Sequence, residues 1–254
     1  MTEQPSVTLT ERRLAAITEH SRGLAEAARG HLDAPVEHCP DWDVADLVWH
    51  VIGVHWFWGT IAAERLSAPP DDVRRPERPA DGDLVDHLVT GAERLTAVLR
   101  AAGQAEHVWT WAPWQQDVAF ITRHQVQEAA VHHWDAGNAT GAPVRLDPDL
   151  AADAVDEFLT FSVATERSEG PDDPPLPPLD GAFALRAADT GDTWTVRDGR
   201  PGTLAVSRGQ RDDVPAVEAG AEDLLLWLYG RRTLATGSVS PELLARFRGL
   251  SFTD

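Results

Sequence analysis

Apolar residues recur every three or four positions through the first half of the chain, which is the period of helices with one buried face. The predicted helices cover residues 9–30, the stretch that starts after Asp43, residues 83–102, and about 113–137. Asp43 suits the N-cap of the second helix, and Gly103 suits the end of the third. Four helices within roughly 140 residues predict an up-down bundle, in which sites are built from inward-facing side chains.

The pattern changes in the second half, where short alternating stretches are separated by the turn sequences DTGD and DGRPG. The predicted elements are a helix at 147–165, strands at 183–187, 193–197 and 203–206, and helices at 221–229 and 241–247. The segment GPDDPPLPPLDG is too rich in proline for regular structure and reads as a linker. We therefore expect a helical domain at 1–168, a linker at 169–180 and a small α+β domain at 181–254.

The net charge of the chain limits the kinds of binding partner that we expect. The chain of 254 residues has 41 acidic side chains against 22 basic ones, a formal net charge of −19. Such a field repels nucleic acid and anionic membranes, so neither is an expected partner. All 22 cations are arginine, which excludes Schiff-base and general-base lysine chemistry. The reaction, if there is one, must use His, Glu, Asp, Arg or a bound metal.

The sequence also bears on where the protein is located and on whether it forms disulfides. The first residues lack an apolar signal core, and the most apolar run, 48–63, is too short for a bilayer and contains two histidines. We therefore expect a soluble, cytoplasmic protein. Cys39 is the single cysteine and cannot form an internal disulfide. We interpret it as a half-buried residue at a turn in preference to the alternative, a catalytic nucleophile.

A polar stripe marks the fourth predicted helix. Glu128, His132 and Asp135 lie within about 60° of one another on a helical wheel, on the face that should be buried. Burying such side chains without partners costs several kcal/mol. A divalent cation in the bundle interior would neutralise them together.

The second helix offers another ligand, because His50 projects on the same side as its apolar residues. Two imidazoles and the Glu128 carboxylate form a three-ligand set that leaves a coordination position open, as catalytic sites require. Asp135 would then orient His132 or act as an acid or base beside the metal. Spacing alone leaves a simpler alternative open, in which Glu128 and His132 are a surface pair and His50 is a hydrogen-bonded core residue.

Two segments resemble a known family. CPDWDVADLVWHVIGVHWFW is similar to the signature W-x-x-x-D-L-x-x-H-x-x-x-x-H/R-W, and QEAAVHHWDAGNATG is similar to H-E-x-x-x-H-R-W-D-A-x-x-x-x-G. Both are signatures of the mycothiol-dependent maleylpyruvate isomerase family of DinB-like metalloenzymes. AEDLLLWLYGRR resembles the motif A-x-D-L-x-x-x-L-x-G-R near the end of that family's C-terminal domain. The resemblance implies a DinB-like four-helix bundle followed by a small sterol-carrier-like α+β domain.

The resemblance also implies roles for individual residues. His50, Glu128 and His132 would hold a divalent metal, usually zinc, and Asp135 matches the aspartate of the same motif. Arg231 matches an arginine that faces the metal pocket. Position 127 is Gln where the motif often has His, and position 133 is His where it often has Arg, so a local cation is missing.

The implied activity is cis–trans isomerisation of a maleylpyruvate-like keto acid. Mycothiol would add as a metal-activated thiolate, the resulting single bond would rotate, and the thiolate would leave. A mycothiol S-transferase, which retains the thiol in its product, is an alternative, and a non-catalytic small-molecule binder with a structural metal is another. Hydrolysis is disfavoured because the helix lacks H-E-x-x-H. The expected partners are a small electrophile and a low-molecular-weight thiol, and the chain is expected to be a monomer or homodimer.

Overall fold

The structure is a computed structural model that describes residues 7–163, 177–209 and 213–252. The chain divides into two compact units, Met1–Arg145 and Leu146–Asp254. Within the described ranges, no helix has both the length and the apolar character needed to cross a membrane.

The first unit is a helical bundle, as predicted. Its helices are α1 (Leu9–Ala28), α2 (Val44–Glu64), α3 (Asp81–Ala102) and α4 (Val118–Thr140), with a short 3-10 helix at Asp72–Arg74. Fully buried apolar side chains fill the centre, including Leu47, Trp58 and Ile61 of α2 and Leu84 and Leu88 of α3. These lie at the helical spacing that predicted the bundle, so burial of one face per helix explains the packing.

The start of α2 is held by reciprocal hydrogen bonds. The backbone N–H of Asp46 donates to the Asp43 carboxylate at 2.8 Å, and the N–H of Asp43 donates to the Asp46 carboxylate at 3.5 Å. This capping box satisfies amide groups that have no partner inside the helix. It fixes the first turn of α2 about two turns before His50, so it positions a candidate site residue.

The fourth helix begins later than predicted, at Val118 rather than near residue 113. Asp117 caps it by accepting a hydrogen bond from the N–H of Phe120 at 2.9 Å. The preceding tryptophan-rich segment is irregular, because the Gln116 side chain donates to the carbonyls of Thr110 and Ala112. Side-chain bonds to the backbone therefore compete successfully with the helix in this segment.

The second unit combines four strands with three helices in its described part. These are α5 (Pro148–Phe161), β1 (Ala182–Ala187), β2 (Thr193–Asp198), β3 (Leu204–Arg208), β4 (Ala216–Ala219), α6 (Ala221–Leu228) and α7 (Pro241–Gly249). The strand order is β3-β2-β1-β4, with β1 antiparallel to β2 and parallel to β4. The α+β prediction is confirmed, although β4 was not predicted from the sequence.

Helix α5 belongs to this second unit, whereas the predicted domain at 1–168 joined it to the bundle. The indole N–H of Trp194 in β2 donates to Asp156 of α5 at 2.8 Å, and the rings of Phe158 and Tyr229 lie 5.1 Å apart. Helical periodicity shows that α5 has an apolar face but does not show which element covers that face. The predicted linker at 169–180 lies outside the described residues up to position 176.

Replacing Asp43 with alanine should destabilise the first unit by about 1 kcal/mol, because the N-terminal amide groups of α2 lose their acceptor. Asp43→Asn keeps an accepting oxygen and is the matched control, expected to lose much less. Urea unfolding of the three proteins measures the difference. Equal destabilisation by both substitutions would contradict the capping explanation.

Candidate metal centre

Two helices of the first unit bring three potential ligands together. His50 comes from α2, and Glu128 and His132 lie one turn apart on α4. The His50 Nε2 atom is 2.9 Å from Glu128 Oε1, and His132 Nε2 is 3.3 Å from the same oxygen. The imidazole centroids are 4.9 Å apart and the rings meet edge to face. The donor atoms all lie within 4.8 Å of one another, which suits a shared cation.

Asp135 orients one of these ligands. Its carboxylate is fully buried and accepts a hydrogen bond from His132 Nδ1 at 3.1 Å. Because Nδ1 donates to Asp135, Nε2 is the nitrogen on the side of Glu128 and His50, and it would bind a metal after losing its proton. A carboxylate that holds a metal-binding histidine in this way fixes the tautomer and raises the basicity of the ligand.

The charge of Glu128 needs compensation in this position. Burial by itself raises the pKa of the Glu128 carboxyl, but the attraction of His132 and hydrogen bonds from both histidines outweigh it. The pKa of Glu128 therefore lies well below its ordinary value, and the side chain is a carboxylate at neutral pH. A buried carboxylate persists only where positive charge lies beside it.

A proton on His132 supplies that charge in the absence of any other cation. Burial lowers the pKa of His132, but the charge of Glu128 and hydrogen bonds to Asp135 and Glu128 raise it to about 9. A divalent ion would replace this proton and satisfy the same carboxylate. The donor set, two imidazoles and one carboxylate, matches the ligands that zinc takes in catalytic sites, so the residues fit the implied metal.

The turn before α2 completes the surroundings. Cys39 is half-buried, as expected from the sequence, and its thiol lies 3.9 Å from Asp135 Oδ2. Cys39, His132 and Asp135 form a second group whose donor atoms lie within 4.8 Å of one another. The ring of Trp42 lies 5.1 Å from that of His50. No local spacing in the sequence relates Cys39 to α4, so its position beside this site follows only from the fold.

His55, His133 and Arg231 have other neighbours in the described structure. His55 is buried further along α2, and His133 points from α4 toward His20 of α1, with their Nδ1 atoms 3.1 Å apart. Arg231 follows α6 in the second unit, where its guanidinium donates to the Tyr229 carbonyl at 2.8 Å and lies over the Tyr229 ring. The role of Arg231 toward the metal stays a prediction.

The fold and the site define a class of protein in which a helical bundle with a His/Glu/His cluster precedes a small α+β unit. Residues 14–137 match the family model described as the mycothiol maleylpyruvate isomerase N-terminal domain. Residues 149–246 match the model described as the MDMPI C-terminal domain. The two matches together span most of the chain, which belongs to the mycothiol maleylpyruvate isomerase family.

A solved structure has the same fold. It is described as the crystal structure of the mycothiol-dependent maleylpyruvate isomerase and aligns with a TM-score of 0.59 at 14% sequence identity. The alignment covers 94% of this chain and 98% of that one. A search of curated proteins gave no match. The predicted fold class, a helical bundle followed by a small α+β domain, is therefore confirmed.

The proposed ligand set predicts how tightly wild type and three variants should bind zinc. Wild-type protein is expected to hold about one zinc per chain, and His132→Ala, which removes a ligand, should lose it. Asp135→Asn keeps all three ligands but weakens their orientation, so its affinity should fall about 10–100-fold. His31→Ala removes an exposed histidine and is the matched control, expected to bind like wild type. Elemental analysis and competition with a chelating dye measure these values.

Two further variants separate the candidate ligand groups, because His132 belongs to both. Glu128→Gln should abolish zinc binding, whereas Cys39→Ser should preserve it. The opposite result would assign the metal to Cys39, His132 and Asp135.

Proposed function

We propose that this protein is a metal-dependent enzyme that uses mycothiol to act on a small electrophilic molecule. The cluster of His50, Glu128 and His132 carries the proposal, because three donors leave room in a zinc coordination shell for an exogenous ligand. Membership of the family supports mycothiol as that ligand. The isomerase of the same fold supports catalysis rather than a purely structural metal.

The charges of the ligand set favour an anionic partner. A divalent cation at this position would lower the pKa of a coordinated thiol and so supply a thiolate at neutral pH. His50 and His132 would be neutral as ligands, and Glu128 would bring a single negative charge. The metal with its three ligands would therefore carry one positive charge, which suits a thiolate or a carboxylate at the open coordination position.

Two reactions are compatible with this site. In an isomerase, the thiolate adds to one carbon of a cis double bond conjugated with a keto group. The carbon–carbon bond, now single, rotates, and the same thiolate then leaves to restore the double bond in the trans form. In an S-transferase, the carbon–sulfur bond persists and the thiol is consumed. We propose isomerisation of a maleylpyruvate-like keto acid as the first candidate, because the isomerase of known structure shares the fold along nearly the whole chain. Mycothiol S-transfer is the second candidate, because 14% identity supports the fold without specifying the reaction.

Two further side chains have proposed roles. Asp135 would hold the Nδ1 side of His132, so that Nε2 is the nitrogen that faces the metal. Arg231 would bind a carboxylate or enolate oxygen of the substrate, since a guanidinium binds such groups through two parallel hydrogen bonds. In a chain with a net charge of −19, an anionic substrate needs local positive charge of this kind.

Measuring whether the thiol is consumed tests the proposal and separates the two reactions. Zinc-loaded protein is mixed with maleylpyruvate and a substoichiometric amount of mycothiol, and product and free thiol are both measured. An isomerase should convert many equivalents of substrate for each mycothiol and leave the thiol concentration unchanged. An S-transferase should consume one thiol for each molecule of an electrophile such as monobromobimane.

The variants give this experiment its control. His132→Ala should lose thiol binding and turnover together, while His31→Ala should retain both. If zinc-loaded wild type neither binds mycothiol by calorimetry nor turns over any electrophile, the enzymatic proposal fails and the non-catalytic binder takes its place.

Arg231→Lys should raise the KM for maleylpyruvate about tenfold or more, because lysine lacks the paired donors that bind a carboxylate. The rate with a neutral electrophile should change little, since no carboxylate is involved. Arg200→Gln removes an exposed arginine of the same unit and is the matched control. An equal rise in KM for charged and neutral substrates would contradict the proposed role.

A further inference from the structure

The loop between α2 and α3 is tied to both ends of α2. The Arg74 guanidinium donates to the Glu64 carboxylate at the end of α2 at 3.1 Å. The Arg78 guanidinium donates to Asp46 in the first turn of α2 at 2.6 Å. Each exposed ion pair contributes little to stability, but two of them at opposite ends of one helix set the path of a short segment. The loop therefore runs back along the surface of α2, with Arg75 between the two contacts.

The side chain of Arg75 lies against α2. Pro76 follows it, and a proline restricts the preceding residue to extended backbone, as the φ of −61° and ψ of 132° at Arg75 show. The guanidinium carbon is 5.2 Å from the centroid of the Trp49 ring, which is a cation–π contact. A guanidinium over a ring still has its N–H donors in its own plane, so this contact leaves them available to another group.

A buried glycine of α2 makes room for this guanidinium. A Cβ on Gly53 would lie 2.5 Å from Arg75 Nη2 and 3.2 Å from Cζ, too close for a side chain unless the guanidinium moved. Glycine in a helix interior costs about 1 kcal/mol relative to alanine. Gly59 of the same helix differs, since a Cβ there would meet no atom closer than 3.7 Å. The guanidinium of Arg75 therefore occupies the space beside position 53.

The guanidinium lies near the most accessible of the candidate metal ligands. Gly53 follows His50 by one helical turn, about 60° around the wheel. Because Cβ positions at this spacing are about 5–6 Å apart, Arg75 Nη2 lies within about 8 Å of His50 Cβ. The His50 side chain is 27% exposed, against 14% for Glu128 and 10% for His132. Solvent, and hence a substrate, reaches the ligand set beside His50.

The charge of Arg75 distinguishes it from the neighbouring arginines. Arg74 and Arg78 pair with carboxylates, whereas no carboxylate in the part of the chain that the structure describes lies within ion-pairing distance of Arg75. Arg75 is exposed, so a ligand can approach it. A guanidinium binds a carboxylate through two parallel hydrogen bonds. In a chain with a net charge of −19, a cation of this kind is a suitable local site for an anion.

We propose that Arg75 binds a carboxylate of the substrate at the edge of the candidate metal centre, so that the substrate is a small anion whose carboxylate lies several bonds from the atom at the metal. This role rests on the proposed function and adds a class of substrate to it. Maleylpyruvate carries two carboxylates, so the role of Arg75 does not replace the one proposed for Arg231.

Calorimetry with two saturated acids tests this role in zinc-loaded protein without thiol. Pimelate has seven carbon atoms and a carboxylate at each end, so one carboxylate can bind the metal while the other binds Arg75. Heptanoate has the same length and a single carboxylate. Pimelate should bind about tenfold or more tightly than heptanoate. Arg75→Gln should remove that difference and leave heptanoate binding unchanged.

A second variant removes the space for the guanidinium without removing its charge. Gly53→Ala should displace the Arg75 side chain and weaken pimelate binding by a similar factor. Gly59→Ala, on the opposite side of α2 from His50, is its matched control. Arg94→Gln removes an exposed arginine of α3 and is the control for net charge. Both controls should bind pimelate like wild type, and thermal melting checks that all four variants are folded.

The role of Arg75 is overturned if pimelate does not bind more tightly than heptanoate, or if Arg75→Gln or Gly53→Ala binds pimelate like wild type. These outcomes leave the mycothiol proposal standing, because no thiol is present. Conversely, zinc-loaded protein that binds pimelate through Arg75 but does not bind mycothiol would contradict the proposed function and leave Arg75 as an anion-binding residue.

Discussion

The Glu128 carboxylate, whose side chain is 14% exposed, lies between two imidazoles that belong to different helices, and this arrangement constrains the rest of the first unit. Moving a carboxylate out of water is costly unless positive charge and hydrogen bonds replace the water. A proton on His132 supplies the positive charge, and both histidines contact the same carboxylate oxygen, His50 at 2.9 Å and His132 at 3.3 Å. Helices α2 and α4 must therefore keep a fixed register, because a shift of one turn would separate the carboxylate from His50.

Helix caps, core packing and one further hydrogen bond keep the two helices in this register. The capping box at Asp43 fixes where α2 begins, and the Asp117 cap does the same for α4. The apolar faces of both helices are buried, which holds their rotation about their own axes. Asp135 then selects the tautomer of His132. Local capping, core packing and one hydrogen bond together preorganise a cation site.

Helix α2 has two different faces. His50 faces α4, while Ile52, His55 and Gly59 line a cavity between α2 and α3. One helix can serve both because side chains 140–180° apart on the wheel reach opposite sides of it. The shared fold with an isomerase that is only 14% identical is understandable on the same basis. The fold depends on which positions are buried and on approximate volume, and many sequences satisfy these conditions.

Local patterns in the sequence determined the helices of the bundle, the Asp43 cap and the stripe of Glu128, His132 and Asp135, because periodicity and capping act over a few residues. The three strands β1 to β3 followed from alternation and turn signals in the same way. The position of His50 opposite Glu128 needed the helix faces to be matched, and the structure brings the two within hydrogen-bonding distance.

Only the tertiary structure decided the contacts between distant segments. It paired β4 with β1 in parallel, packed α5 against elements of the second unit, and brought the Cys39 thiol to 3.9 Å from Asp135. It also left a cavity between α2 and α3 that the side chain of His55 lines. None of these follows from a local pattern, because each depends on which surfaces meet after the chain has folded back on itself.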